Sequence, residues 1–139
     1  MTLAEARVRV LADHVAIRGM LSGVEDLARR VAGGERPLLS PLRAAGETLM
    51  KRLEEHIFWE DLHLVPLLRA AGGTAARLAA RLDGEHREQR EVLAHCLAAV
   101  QDARRPAPLV ARTLVDLIAL LRSDMEAEES ELPAPLGET

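Results

Sequence analysis

The sequence predicts an all-α fold, an antiparallel up-down-up-down four-helix bundle. Three observations carry this prediction. The chain is built from Leu, Ala, Arg and Glu, with 1% aromatic residues and no Tyr, whereas sheets draw on aromatic and β-branched side chains. Four amphipathic stretches repeat with the helical 3.6-residue period. Three short Gly/Pro breaks separate them, and short connections make consecutive helices antiparallel neighbours. At 139 residues there is room for one domain. It is expected over residues 1–133, with 134–139 as a flexible tail.

The first helix opens at Thr2 and Glu5, spaced as a capping box. Its apolar stripe runs Leu3, Val10, Leu11, Ile17, Leu21, Val24 and Ala28, and Gly33-Gly34 stops it. Ser40 followed by Pro41 reads as an N-cap and first turn for the second helix. Its stripe runs Leu42, Leu49, Leu53, His56, Glu60, His63 and Leu67, with a kink expected at Pro66, and Gly72-Gly73 ends it. Thr74 is the expected cap of the third helix, whose stripe is Leu78, Leu82, His86, Arg90, Leu93, Leu97 and Val100. After Arg105-Pro106-Ala107-Pro108, the fourth carries Leu114, Leu117, Ile118, Leu121, Asp124 and Glu128 and ends at Pro133.

Composition excludes several classes. No apolar run approaches about 18 residues, so no membrane span is expected. Glu5, Arg7 and Arg9 break the N-terminal apolar residues, against a signal peptide. A net charge of -4 argues against nucleic acid as a partner. One cysteine, Cys96, allows no internal disulfide, which suits a reducing, cytoplasmic setting.

Each stripe carries ionisable residues where apolar ones would be cheaper to bury. They are His14, the His56/Glu60 pair, His86, and the Asp124/Glu128 pair. Residues four apart share a helix face. Counted from the breaks, all six side chains stand at one depth. His14 lies 19 residues before Gly33, and His56 lies 16 after Ser40. Glu60 and His86 each lie 12 residues from Gly72 and Thr74. At about 1.5 Å per residue the mismatches amount to a few Å. Buried carboxylates need neutralising or a bound cation. Imidazole and carboxylate together suit transition metals. Six donors exceed what a tetrahedral zinc takes and suit a dinuclear centre inside a bundle.

The chain resembles a hemerythrin-like (HHE-type) domain. The resemblance rests on Asp13-His14, His56-Ile57-Phe58-Trp59-Glu60-Asp61 with Leu64-Val65-Pro66, Glu85-His86, and Glu126-Ala127-Glu128-Glu129 followed by Leu132-Pro133. It implies two irons per chain, although Mn or Zn would satisfy the same residues. It implies His14 and His56 as terminal ligands of one iron, His86 of the other, and Glu60 and Glu128 as bridges. Where the family usually has His, this chain has Asp124, and where oxygen carriers have another His it has Arg90. These departures argue against reversible O2 carriage. They favour a site that reacts with or senses O2, peroxide or nitric oxide, with Asp124 adding negative charge and Arg90 facing the same interior.

Alternative readings are an iron-storage or iron-centre repair module, and a metal-free helical interaction protein that has lost the site. Glu126, Glu129 and Glu131 read as a solvated acidic helix end. His63 reads as a core-edge histidine or an extra donor, His95 as solvent-facing and Cys96 as a small buried apolar residue. Phe58, Leu62 and Val65 fall on the outer face of the second helix, where a homodimer contact is expected.

Overall fold

Thr2 starts the first helix as its spacing to Glu5 requires, its hydroxyl accepting the Glu5 N–H at 3.1 Å. The computed structural model describes residues 1–134, with no strand among them. Helix α1 spans Leu3–Ala32. Gly34, at φ 107°, takes a backbone conformation that suits glycine. A 3-10 turn over Arg36–Leu38 leads into α2, Leu39–Trp59. Ser40 is therefore not the cap; the Pro37 turn already sets the helical direction, and α2 begins at Leu39, two residues before Pro41. A π-helical turn over Glu60–Leu64 joins α2 to α3, Val65–Ala71, in one continuous arm. Helix α4 spans Gly73–Gln101 and α5 spans Ala107–Glu131. Thr74 does not cap α4. The reversal is made by Gly72 and Gly73, both at positive φ, and Thr74 already lies inside the helix. The tail expected over 134–139 lies, apart from Ala134, outside the described residues.

The π turn is where the second arm departs most from its sequence pattern. Pro66 has no N–H, and its ring would crowd the Leu62 carbonyl in a regular helix. Instead the Val65 N–H reaches back five residues to the Glu60 carbonyl, and the arm passes Pro66 unbroken. The extra residue in that turn rotates everything after it by one position. Val65 consequently turns inward and is 1% exposed. The outer patch expected from Phe58, Leu62 and Val65 thus reduces to Phe58 and Leu62.

The arms form a ring in which α1 packs on α2 and α5, and α4 packs on α2, α3 and α5. Arg18 meets Glu129 while Arg122 meets Glu25, so α1 and α5 run antiparallel. Gly46 permits close approach of α2 to α5; a Cβ there would meet Leu114 Cδ2 at 3.1 Å. The apolar interior falls into two parts. The larger holds Ile17, Leu21, Leu49, Leu53, Leu93, Leu114 and Ile118. The smaller holds Val10, Leu64, Val65, Leu68, Leu78, Leu82 and Leu132. The polar residues of the four stripes lie between them in sequence on every arm. Among the described residues, no helix is long and apolar enough to cross a membrane.

Arg43 closes the larger end. It donates to the carbonyl oxygens of Val100, Asp102 and Arg105, the last two at 3.0 and 3.4 Å. A cation there satisfies the open carbonyls at the end of α4 and opposes its negative dipole end. Arg43→Ala is expected to lower stability by about 1–2 kcal/mol. Urea unfolding should show a lower midpoint with an unchanged slope. An unchanged midpoint would mean that water serves those carbonyls equally well.

Candidate metal centre

His14 comes from α1, His56 from the last turn of α2, Glu60 from the start of the π turn, His86 from α4 and Glu128 from α5. All five are buried, Glu60 to 2% exposure and Glu128 to 5%. The histidines present Nε2 to the two carboxylates. His14 Nε2 lies 3.1 Å from Glu128 Oε1. His56 and His86 Nε2 each lie 3.2 Å from Glu60 Oε1. The His14 and His56 rings meet edge-on, 5.2 Å between centroids. Two groups of donor atoms gather within 4.8 Å: His14, His56 and Glu128, and then Glu60, His86 and Glu128. Glu128 belongs to both. His56 Nε2, Glu60 Oε2 and Glu128 Oε1 are buried without a hydrogen-bond partner. Such atoms are costly in an interior, and a cation relieves the cost. The donor set fits a metal on that ground.

Behind each histidine stands a second carboxylate. Glu129 Oε2 lies 2.7 Å from His14 Nδ1, Asp13 Oδ2 3.1 Å from His56 Nδ1, and Asp61 Oδ1 2.6 Å from His86 Nδ1. Each is held by arginine. Arg18 grips Glu129 with two bonds of 2.7 and 2.9 Å. Arg9 and Arg52 donate to Asp13 at 3.2 and 3.0 Å, and Arg90 donates to Asp61. Arg9 also lies over the Trp59 ring, 5.0 Å from its centroid. A carboxylate on Nδ1 keeps a proton there, so a metal that displaces the proton on Nε2 meets the tautomer it requires.

These outer carboxylates were not apparent in the sequence as functional residues. Each directly adjoins an inner residue: Asp13 beside His14, Asp61 beside Glu60, Glu129 beside Glu128. Each serves the histidine of the next arm rather than its own. The bridges therefore run from α5 to α1, α1 to α2, and the π turn to α4. Glu129, read as part of a solvated helix end, belongs to this ring. Arg90 does not face the interior; its side chain is 49% exposed and pairs with Asp61. His63 packs on Trp59, 5.2 Å between ring centroids, away from both donor groups. Asp124 is not in either group. It accepts a hydrogen bond from Gln89 at 2.9 Å and lines the adjoining cavity of about 30 Å3.

The carboxylates divide the charge unequally. Burial opposes the ionised form of Glu60, but the imidazoles of His56 and His86 beside it outweigh that and hold Glu60 well below the usual carboxylate range. Burial, with Glu60 nearby, pushes Glu128 up to about 7. Burial opposes protonation of His86, but Glu60 and Asp61 overcome it and raise that imidazole to about 9. His14 and His56 are raised in the same way, by Glu128 and by Glu60 respectively. Burial and Asp124 together raise Glu85.

A buried layer of imidazoles and carboxylates shared by all four arms of a helical bundle defines a cation-binding helical protein. The hemerythrin HHE cation binding domain matches residues 7–133, and the chain belongs to that family. No curated protein and no solved structure matches it.

The raised groups fix how the metal-free fold responds to pH. His86 contributes stability that is fully present below its unfolded value of 6.5 and lost as pH rises through about 9. The Glu128 contribution is present below 4.5 and lost as pH rises through about 7. Both push the same way, so chelator-treated protein should be less stable at pH 9 than at pH 6. Bound metal displaces these protons and should remove that decline. Urea unfolding at the two pH values checks this; a chelator-treated protein more stable at pH 9 would contradict it.

Proposed function

We propose that the chain is a non-haem di-iron protein that reacts with or senses O2, peroxide or nitric oxide, and does not carry O2 reversibly. His14, His56 and Glu128 would hold one ion, and Glu60, His86 and Glu128 the other. The observation that carries this reading is the orientation of the three histidines: Nε2 toward the two inner carboxylates, Nδ1 on a separate outer carboxylate. A histidine buried only to fill space needs neither arrangement. Iron is favoured by the family; Mn or Zn would satisfy the same donors.

Iron at this site would supply the electrons for reduction of O2 or peroxide. The chain supplies the bias toward the oxidised state. Its donor set is poor in imidazole, with three histidines, and each is made more basic by the carboxylate on Nδ1. Glu60 stays ionised, which adds negative charge where a higher oxidation state gains most. The two apolar cores above and below the layer keep bulk water away from it. The adjoining cavity, about 30 Å3, admits a diatomic or peroxide-sized molecule and nothing much larger.

Protein loaded with ferrous iron without oxygen, then given one O2 pulse, should turn to a lasting oxidised spectrum. Evacuation should not restore the starting spectrum, and a chemical reductant should. Recovery of the ferrous spectrum on evacuation alone would show reversible carriage and overturn the proposal.

A further inference from the structure

The ring of bridges behind the histidines has a gap. Three of the four seams between neighbouring arms are crossed by a carboxylate-to-histidine bond: α5 to α1, α1 to α2, and the π turn to α4. The fourth, between α4 and α5, is crossed instead by Gln89, whose Nε2 donates to Asp124 at 2.9 Å and to Glu85 at 3.4 Å. The cavity beside the donor groups opens at this seam. Of its twelve lining residues, nine are buried; only Glu85, Gln89 and Asp124 reach solvent. Its buried wall includes His56, Glu60 and Glu128, each with a buried polar atom that has no hydrogen-bond partner. One end of this passage is thus wet and doubly acidic, and the other end is a set of unsatisfied donors.

We infer that Glu85, Gln89 and Asp124 form a loading port for divalent transition-metal cations, Asp124 passing the ion inward rather than holding it. The inference rests on the metal-binding reading above. Two carboxylates at a narrow mouth with apolar walls concentrate cations and raise their rate of capture. Gln89 donates to both carboxylates without carrying charge, so it keeps them in place yet yields when a cation takes its position. Asp124 stands one helical turn before Glu128 on α5, so the ion need move by only one turn to meet the donors. The other three seams offer no such path, since each is closed by an arginine-held carboxylate.

Stopped-flow uptake of Co2+ by the metal-free full chain, followed by its visible absorption, tests this. Asp124→Asn and Glu85→Gln should each slow uptake by roughly three- to tenfold and weaken its dependence on ionic strength. The final spectrum and the number of ions bound should match the unmutated protein, and Asp124→Glu should restore the rate. Uptake as fast as in the unmutated chain would place entry elsewhere. Fast uptake with an altered final spectrum or weaker binding would make Asp124 a ligand and overturn the port. Absence of Co2+ uptake by the unmutated chain would instead remove the metal reading beneath it. Helical circular dichroism of each variant separates these outcomes from misfolding.

Discussion

Five ionisable side chains in one buried layer impose the constraint that orders the rest of this molecule. An unpaired carboxylate in an interior is expensive, and two close together are worse. The chain meets that cost with alternating layers of charge. Glu60 and Glu128 face three imidazoles, the imidazoles face three outer carboxylates, and those face arginines near the surface. Each layer is opposite in sign to the next. Within this layer, three atoms at the centre, His56 Nε2, Glu60 Oε2 and Glu128 Oε1, are left without hydrogen-bond partners. That is where a cation belongs, and the rest of the arrangement serves to leave only that place open.

The fold follows from the same constraint. A polar layer divides the hydrophobic interior into two cores, and a helix contributing to both must keep its phase through the layer. α1, α4 and α5 do so as regular helices. The second arm gives two donors, His56 and Glu60, and then meets Pro66. Its π turn starts at Glu60, so the donors precede the change of phase and Leu64, Val65 and Leu68 follow it. The site and the smaller core are thus both satisfied by one arm whose two halves are out of register with each other.

Much of this was legible in the sequence, because it depends on periodicity. The four helices, and the shared depth of His14, His56, Glu60, His86 and Glu128, follow from counting along 3.6-residue stripes. What counting missed is what periodicity does not encode. A stripe continued straight through the π turn puts Val65 outside, whereas the extra residue of that turn brings it inside. The stripe of α4 points Arg90 inside, yet a long cation gains more at the surface beside Asp61. Ser40 and Thr74 resembled caps, but the local turn chemistry of Pro37 and of Gly72-Gly73 decided the helix starts. Asp13, Asp61 and Glu129 sit just off the inner faces, and each acts on a neighbouring arm, a relation visible only once the arms are packed. Asp124 fits the stripe and reaches the cavity, yet Gln89 holds it at the mouth.

The most direct measurement is metal content per chain after anaerobic iron loading and desalting, beside a Glu60→Ala/Glu128→Ala double variant. The variant leaves His14, His56 and His86 without their inner carboxylates, which disfavours their charged form, so helical circular dichroism of both proteins is the check that each is folded. The account predicts about two irons per chain in the unmutated protein and a loss of both in the variant. A folded, fully helical unmutated protein that retains no metal would contradict it, and would leave three aligned histidines and two buried carboxylates without a purpose.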